Sequence, residues 1–151
     1  MMTRRDNPTR AAIADAIAHG QSGQPLPINP AMEYLQAVFV AGEPGRVTLQ
    51  FTAPQTSIQG NGVVGGGTLA SMLDIGMAMA VLSRLDYGRT CATINLSVNM
   101  LAPAQPGNFL VTAHVEKLGR QIAFSAASLV EAHSERLVAT ASSSLAVLEE
   151  R

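Results

Sequence analysis

Gly60-Asn61-Gly62-Val63-Val64-Gly65-Gly66-Gly67 runs directly into Thr68-Leu69-Ala70-Ser71-Met72-Leu73-Asp74-Ile75-Gly76-Met77-Ala78-Met79-Ala80-Val81-Leu82. The first half is a glycine-rich loop. The second is a helix that is apolar almost all the way round, and such a helix belongs inside a shell of other elements. One carboxylate, Asp74, interrupts it. A charge carried into that setting needs a partner, water or a chemical role, because burying it unpaired is costly or forces a large pKa shift. Hydrogen bonding to backbone or to a Ser or Thr hydroxyl would satisfy it without any catalysis.

The flanking sequence supplies the shell. Downstream, Thr93, Asn95, Ser97 and Asn99 alternate with Ile94, Leu96, Val98 and Met100, the period-two signature of a strand. Pro103 and Pro106-Gly107 turn the chain, and strands follow over 109–118, 121–130 and 137–148, with Gly119-Arg120 as a tight reversal. Upstream, 35–41 and 47–52 form a hairpin about Glu43-Pro44-Gly45. Consecutive strands without helices between them predict an antiparallel sheet, hairpin-connected over its last four strands, and an α+β class. About six strands, strongly twisted, curl round one central helix over about 67–84, which is roughly 27 Å long at 1.5 Å per residue. Near the start, Asn7-Pro8 caps a short helix carrying Ile13 and Ile17, which Gly20 ends. Residues 21–30 read as a linker-like loop.

Composition bounds the function. The chain has 151 residues, enough for one domain spanning 1–151: an N-terminal helix and loop over 1–30, then a core over 33–149. It is 47% hydrophobic but 4% aromatic, with no Trp, so its core is aliphatic. A net charge of −1, with no basic run beyond Arg4-Arg5, argues against a nucleic-acid partner. The start, Met1-Met2-Thr3-Arg4-Arg5, carries no secretory leader pattern, and the central apolar run is too short for a membrane span. The expected setting is cytoplasmic. Cys91 reads as a core thiol, and His19, His114 and His133 lack metal-ligand spacing, so neither a metal nor an organic cofactor is expected.

Gly60 to Gly65 matches G-x-G-x-x-G literally. A dinucleotide site nonetheless requires a strand just before the loop and a βαβ unit around it. Ala53-Pro54-Gln55-Thr56-Ser57 is polar and broken by proline, and the later strands are antiparallel. No Lys follows the last glycine, which removes the phosphate-loop reading, and no G-x-S-x-G marks a serine hydrolase. The physics of the loop survives these exclusions. Glycines opening a helix leave backbone N–H groups bare at the positive end of its dipole, where an anion or a developing oxyanion is stabilised. Close packing of helix on sheet would also explain them. Asp74 lies about 12 Å further along the axis, too far to act with those N–H groups on one atom within a single subunit. A two-fold dimer would bring one subunit's helix start near the other's Asp74.

These residues resemble the hotdog-fold acyl-CoA thioesterases of the phenylacetate-pathway type, over about 35–148. The marks are Gln59, Gly65-Gly66-Gly67, Asp74, the strand Thr93-Ile94-Asn95-Leu96-Ser97-Val98-Asn99-Met100-Leu101-Ala102-Pro103, and Gly119-Arg120. The resemblance implies a dimer, often paired into a tetramer, that hydrolyses a small or medium acyl- or aryl-CoA thioester. It implies that the Gly66 N–H polarises the thioester carbonyl, that the partner subunit's Asp74 is nucleophile or general base, that Gln59 holds substrate or water, and that Thr93 assists. Gly65 stands where the family has histidine. That removes an imidazole, for which the nearby Asn61 is a candidate substitute, and leaves Gly65 and Gly67 as backbone contacts to substrate. The same gap raises the alternative of an acyl-CoA binding module that kept the fold without the activity. Hotdog hydratase chemistry ranks last, for want of its Asp and downstream His pair. The Met residues of the helix, Met72, Met77 and Met79, are either core filler or the lining of an adaptable acyl pocket.

Overall fold

A computed structural model describes residues 5–20 and 22–151; the reading of the first four residues, and of Gln21 in the predicted loop, lies outside them. Among the described residues seven strands, β1 Gln24–Pro25, β2 Val38–Glu43, β3 Arg46–Ala53, β4 Arg89–Met100, β5 Gly107–Leu118, β6 Ile122–Glu131 and β7 Leu137–Glu149, form one antiparallel sheet in the order β1-β2-β3-β5-β6-β7-β4. Helix α3, Gly66–Leu82, lies across one face of the sheet and packs against β3 to β7. Among the described residues no helix is long and apolar enough to cross a membrane.

Inward-facing positions carry the core. Val47, Leu49 and Phe51 of β3, Phe109, Val111 and Ala113 of β5, and Leu145 of β7 are essentially inaccessible, and they meet Met72, Leu73, Met77 and Ala80 of α3. Met72, Met77 and Met79 are therefore core filler, not pocket lining. At Gly76 helix and sheet come so close that a Cβ would lie 2.6 Å from Val111 Cγ1. Val is stiff at χ1 and cannot swing aside. Gly76→Ala is therefore expected to destabilise the fold by about 1–3 kcal/mol despite alanine's better helix propensity. Chemical denaturation with an unchanged m-value checks this.

Helix α1, Pro8–His19, docks on α3 and β2 through Ile13 and Ala16, while Ile17 is only partly buried. Asn7 caps it by accepting from the N–H groups of Thr9 and Arg10. Asp6 then fastens the assembly to the turn between α3 and β4 by accepting from Arg10 and from the N–H of Gly88. The Arg10 guanidinium holds the Asp6 carboxyl below its ordinary range.

Four features depart from the sequence reading. Among the described residues there are seven strands, not about six: two residues inside the predicted 21–30 loop, Gln24 and Pro25, pair with Phe39 and Val38. A pairing that short has no periodicity to read. The first half of the hairpin starts at Val38, not Leu35, because Asn29 caps a short helix α2, Pro30–Tyr34. The last four strands are not a run of hairpins: β4 pairs with β7 at the sheet edge, while β5 sits between β3 and β6. Residues 101–106 are therefore a crossover rather than a turn. Finally, the alternation in β4 is broken by a bulge between Thr93 and Asn95. Thr93 lies opposite the buried Leu145, and Leu96 opposite the buried Ser143, so both face the helix although strict alternation puts them on opposite faces. Ile94 is the extra residue and is 59% exposed. The Ser143 hydroxyl donates to the Asn95 carbonyl at 2.8 Å and holds the bulge.

Candidate active site

The loop before α3 is built by backbone bonds. Ile58 bridges Val64, the N–H of Gln59 donates to Val63 O at 2.8 Å, and Gly62 takes φ 77° to close the turn. The side-chain carbonyl of Gln59 accepts from the Asn61 N–H at 2.7 Å. The N–H of Gly65 donates to Ser57 O at 2.9 Å, and its own carbonyl receives the N–H groups of Thr68 and Leu69. Gly65 is thus the N-cap, without a side-chain cap, and Gly66 and Gly67 are the first two helical residues. Both residues are exposed, and their N–H groups find no acceptor among the described residues. The mouth of α3 is a pair of bare amides at the positive end of the helix dipole.

The crossover walls this mouth. The Val64 N–H donates to Ala104 O, and the Leu101 N–H to Val138 O, each at 2.8 Å. Gln59, Val63, Gly66 and Leu69 then face Met100 to Ala104 across a cleft of about 320 Å³, lined mainly by apolar groups. A Cβ on Gly66 would touch Met100 Cε at 3.4 Å. Met100, Leu101 and Ala104 are pocket residues that the sequence reading missed. The β4 pattern and Pro103 were visible, but a crossover cannot be told from a turn without the strand order.

Asp74 lies on the side of α3 that faces β4. It is half-buried, and Thr93 Oγ1 donates to its Oδ1 at 2.7 Å. The bulge makes that contact possible by turning Thr93 inward. Oδ2 has no hydrogen-bond partner among the described residues. Cys91, two residues back on the same strand face, directs its thiol toward Ala78 O at 3.9 Å. Burial, and then the neighbouring Asp74 charge, push this thiol up to about 12, so it stays protonated and is no nucleophile near neutral pH.

The residues singled out from sequence thus fall into two groups. Gln59 and Gly66 line the cleft, with Asn61, Gly65 and Gly67 beside them in the chain; Asp74 and Thr93 form a separate pair. Eight residues of helix, about 12 Å, lie between the groups. Asn61 is exposed on the turn and is not among the cleft residues. His19, His114 and His133 stand on a helix end, a strand and a turn, and among the described residues no cluster of His, Cys, Asp or Glu could hold a metal.

Comparison with known proteins bears on the fold and the family. The family model described as the thioesterase superfamily matches residues 61–138, from the loop before α3 to the start of β7. Human acyl-coenzyme A thioesterase 13 is 27% identical over 101 residues, covering 66% of this chain and 71% of that protein. A phenylacetic acid degradation-related protein from Ralstonia eutropha JMP134 superposes with a TM-score of 0.78 at 28% identity, over 93% of this chain and 99% of its own. A thioesterase family protein from Silicibacter pomeroyi gives 0.77 at 26%, over 93% and 98%. The family match takes in the bare-amide mouth, Asp74 and Thr93, and the fold agrees along nearly the whole chain: this protein belongs to the thioesterase superfamily and is a thioester hydrolase built on the hotdog fold.

Proposed function

We propose that this enzyme hydrolyses a small or medium acyl- or aryl-CoA thioester to CoA and a carboxylic acid, at a site completed by a second copy of the chain. The observation that carries the reading is the division of the site. A cleft with bare amides and an acid with a free oxygen both lie beside β4 yet stand about 12 Å apart on one helix. Strand β4 is the sheet edge, and its outward residues are largely exposed. A long edge strand of that kind is a template for pairing. A two-fold axis near the middle of α3 and β4 sets two helices antiparallel, and it lays the partner subunit's Asp74 against Gly66. The resulting dimer is the unit a further pairing into tetramers would use.

The chemistry then follows from groups of known type. The thioester carbonyl oxygen receives the Gly66 N–H, and the apolar wall of 100–104 takes the acyl group. The partner subunit's Asp74, oriented by its own Thr93, either removes a proton from an attacking water or attacks the carbonyl carbon itself. On the first route the water oxygen bonds to the carbonyl carbon as the C–S bond breaks, and the proton taken by Asp74 passes to the departing sulfur. On the second the C–S bond breaks as an Asp74 anhydride forms; water then hydrolyses this to the acid, and its proton leaves CoA as the thiol. Gln59 holds water or substrate at the rim. The bare amides contribute most where negative charge grows on the carbonyl oxygen.

Gly65 supports a second reading, an acyl-CoA binding module, because no imidazole stands at the cleft. Its backbone, φ −61° and ψ 139°, suits any residue, and a Cβ there would meet Ser57 O at 3.5 Å and Gln59 Cβ at 3.9 Å, ordinary contacts. The test is CoA release from a panel of acyl- and aryl-CoA thioesters by the wild type and by Gly65→His. The expected result is turnover by the wild type, raised about tenfold in the variant by one added hydrogen-bonding group. Tight binding of the esters without turnover by either protein would establish the binding module instead.

A further inference from the structure

The turn between β6 and β7 reaches across to the crossover that walls the cleft. Its backbone closes without help from side chains. The Glu131 N–H donates to Arg136 O at 3.0 Å and the Glu135 N–H to Glu131 O at 2.9 Å, with Glu135 at φ 59° reversing the chain. Side chains then build a clasp on that frame. Glu131 accepts from the Ser134 hydroxyl on Oε2, at 2.8 Å, and from Arg136 Nη2 on Oε1. The same Nη2 donates to Pro103 O at 2.6 Å, 33 residues back in the chain. One guanidinium nitrogen thus bridges a carboxylate and a carbonyl. The Arg136 contact, and then Ser134, hold the Glu131 carboxyl below its ordinary range, so the clasp is ionised near neutral pH.

Arg136 is half exposed, and an ion pair in that setting adds little to stability. The turn does not need it. What Arg136 adds is a hold on the crossover where main-chain bonds are sparse. The Leu101 and Ala102 N–H groups both fall on Val138 O, and the next such bond is from the Val64 N–H to Ala104 O. Pro103 lies between them and has no N–H, so its carbonyl is its one hydrogen-bonding group. Ala102, Pro103 and Ala104 line the cleft together with Gly66 and Leu69 of α3. We infer that Arg136 is a positioning residue for this cleft: by fixing the Pro103 carbonyl it sets how far the crossover stands from α3, and with it the length of acyl chain that fits. The inference rests on the reading above that this cleft takes the acyl group. Clasp and cleft lie in one chain, so it does not depend on where the acid comes from.

Arg136→Met keeps the apolar stem and removes the donor. Across acetyl-, butyryl-, hexanoyl-, octanoyl- and decanoyl-CoA, the preference in kcat/KM for the best ester over the next longer one is expected to fall about fivefold, the loss of one partly exposed charge-assisted bond. The change should fall in KM, with kcat for the best ester held and the thermal melt nearly unmoved, since the amides, Asp74 and the core are untouched. Because a single nitrogen serves both acceptors, Arg136→Lys should restore the wild-type preference. Calorimetry with non-hydrolysable thioether analogues of the same esters should show the same flattening of affinity with chain length. That arm reads out even if the wild type turns over none of the esters, in which case the inference stands while the hydrolase reading falls. A chain-length profile that Arg136→Met leaves unchanged would overturn the inference. So would a lowered melt with the profile intact, which would make the clasp a tie within the fold and nothing more.

Discussion

Gly66→Pro is expected to lower kcat about 10²–10³-fold, the usual effect of removing one oxyanion donor, while the protein folds as before. Proline deletes the Gly66 N–H and nothing else the helix uses. Gly66 is the first helical residue, where that N–H has no intrahelical acceptor and where proline is favoured. A residue before proline is pushed to extended backbone, and Gly65 already has φ −61° and ψ 139°. A Cβ at this position meets only the flexible end of Met100, at 3.4 Å. Steady-state kinetics alongside a thermal melt checks both halves. A variant with full activity and an unchanged melt would remove the helix mouth from the chemistry and leave the cleft a binding surface.

Asp74→Asn is expected to cost about 10²–10⁴ in kcat, because the amide can keep the Thr93 hydrogen bond but can neither accept a proton nor attack. Asp74→Ala should do no less. The more telling experiment mixes the two lesions. Each single variant is inactive at both sites of its dimer. A hybrid of Asp74→Asn and Gly66→Pro subunits keeps one site whole, the amide from the first and the acid from the second. Random reassortment after co-expression should then recover about a quarter of wild-type activity, since half the two-fold dimers are hybrids and each has one good site. No recovery in hybrids isolated by paired affinity tags would place amide and acid in the same subunit and end the two-subunit proposal.

The fold was largely legible because its strongest signals are periodic. A long apolar helix and alternating strands leave few arrangements, and Gly76 and the alanines of α3 allow the close approach that the Gly76–Val111 contact displays. What sequence could not supply was order and phase. The partner of β4 is set by which edge the 101–106 segment reaches, and that segment carries proline without a signature for one path over another. The bulge at Ile94 is equally silent: Thr93 to Met100 reads as unbroken alternation, yet one inserted residue turns Thr93 toward Asp74. Candidate site residues were visible as chemistry out of place, an acid in an apolar helix and glycines at its start. The cleft wall was not, since Met100 to Ala104 gains meaning only from what it lies across.

The crossover is anchored at both ends by main-chain bonds, Val64 to Ala104 and Leu101 to Val138, and its side chains between those points carry none of the sheet's register. Exchanges at Leu101 or Ala102 would alter the room left for an acid's tail while leaving every strand pairing in place. Appetite for one acid over another is thus written on a short strap that the scaffold does not depend on. A lineage built this way can change its diet without first surviving an unstable ancestor.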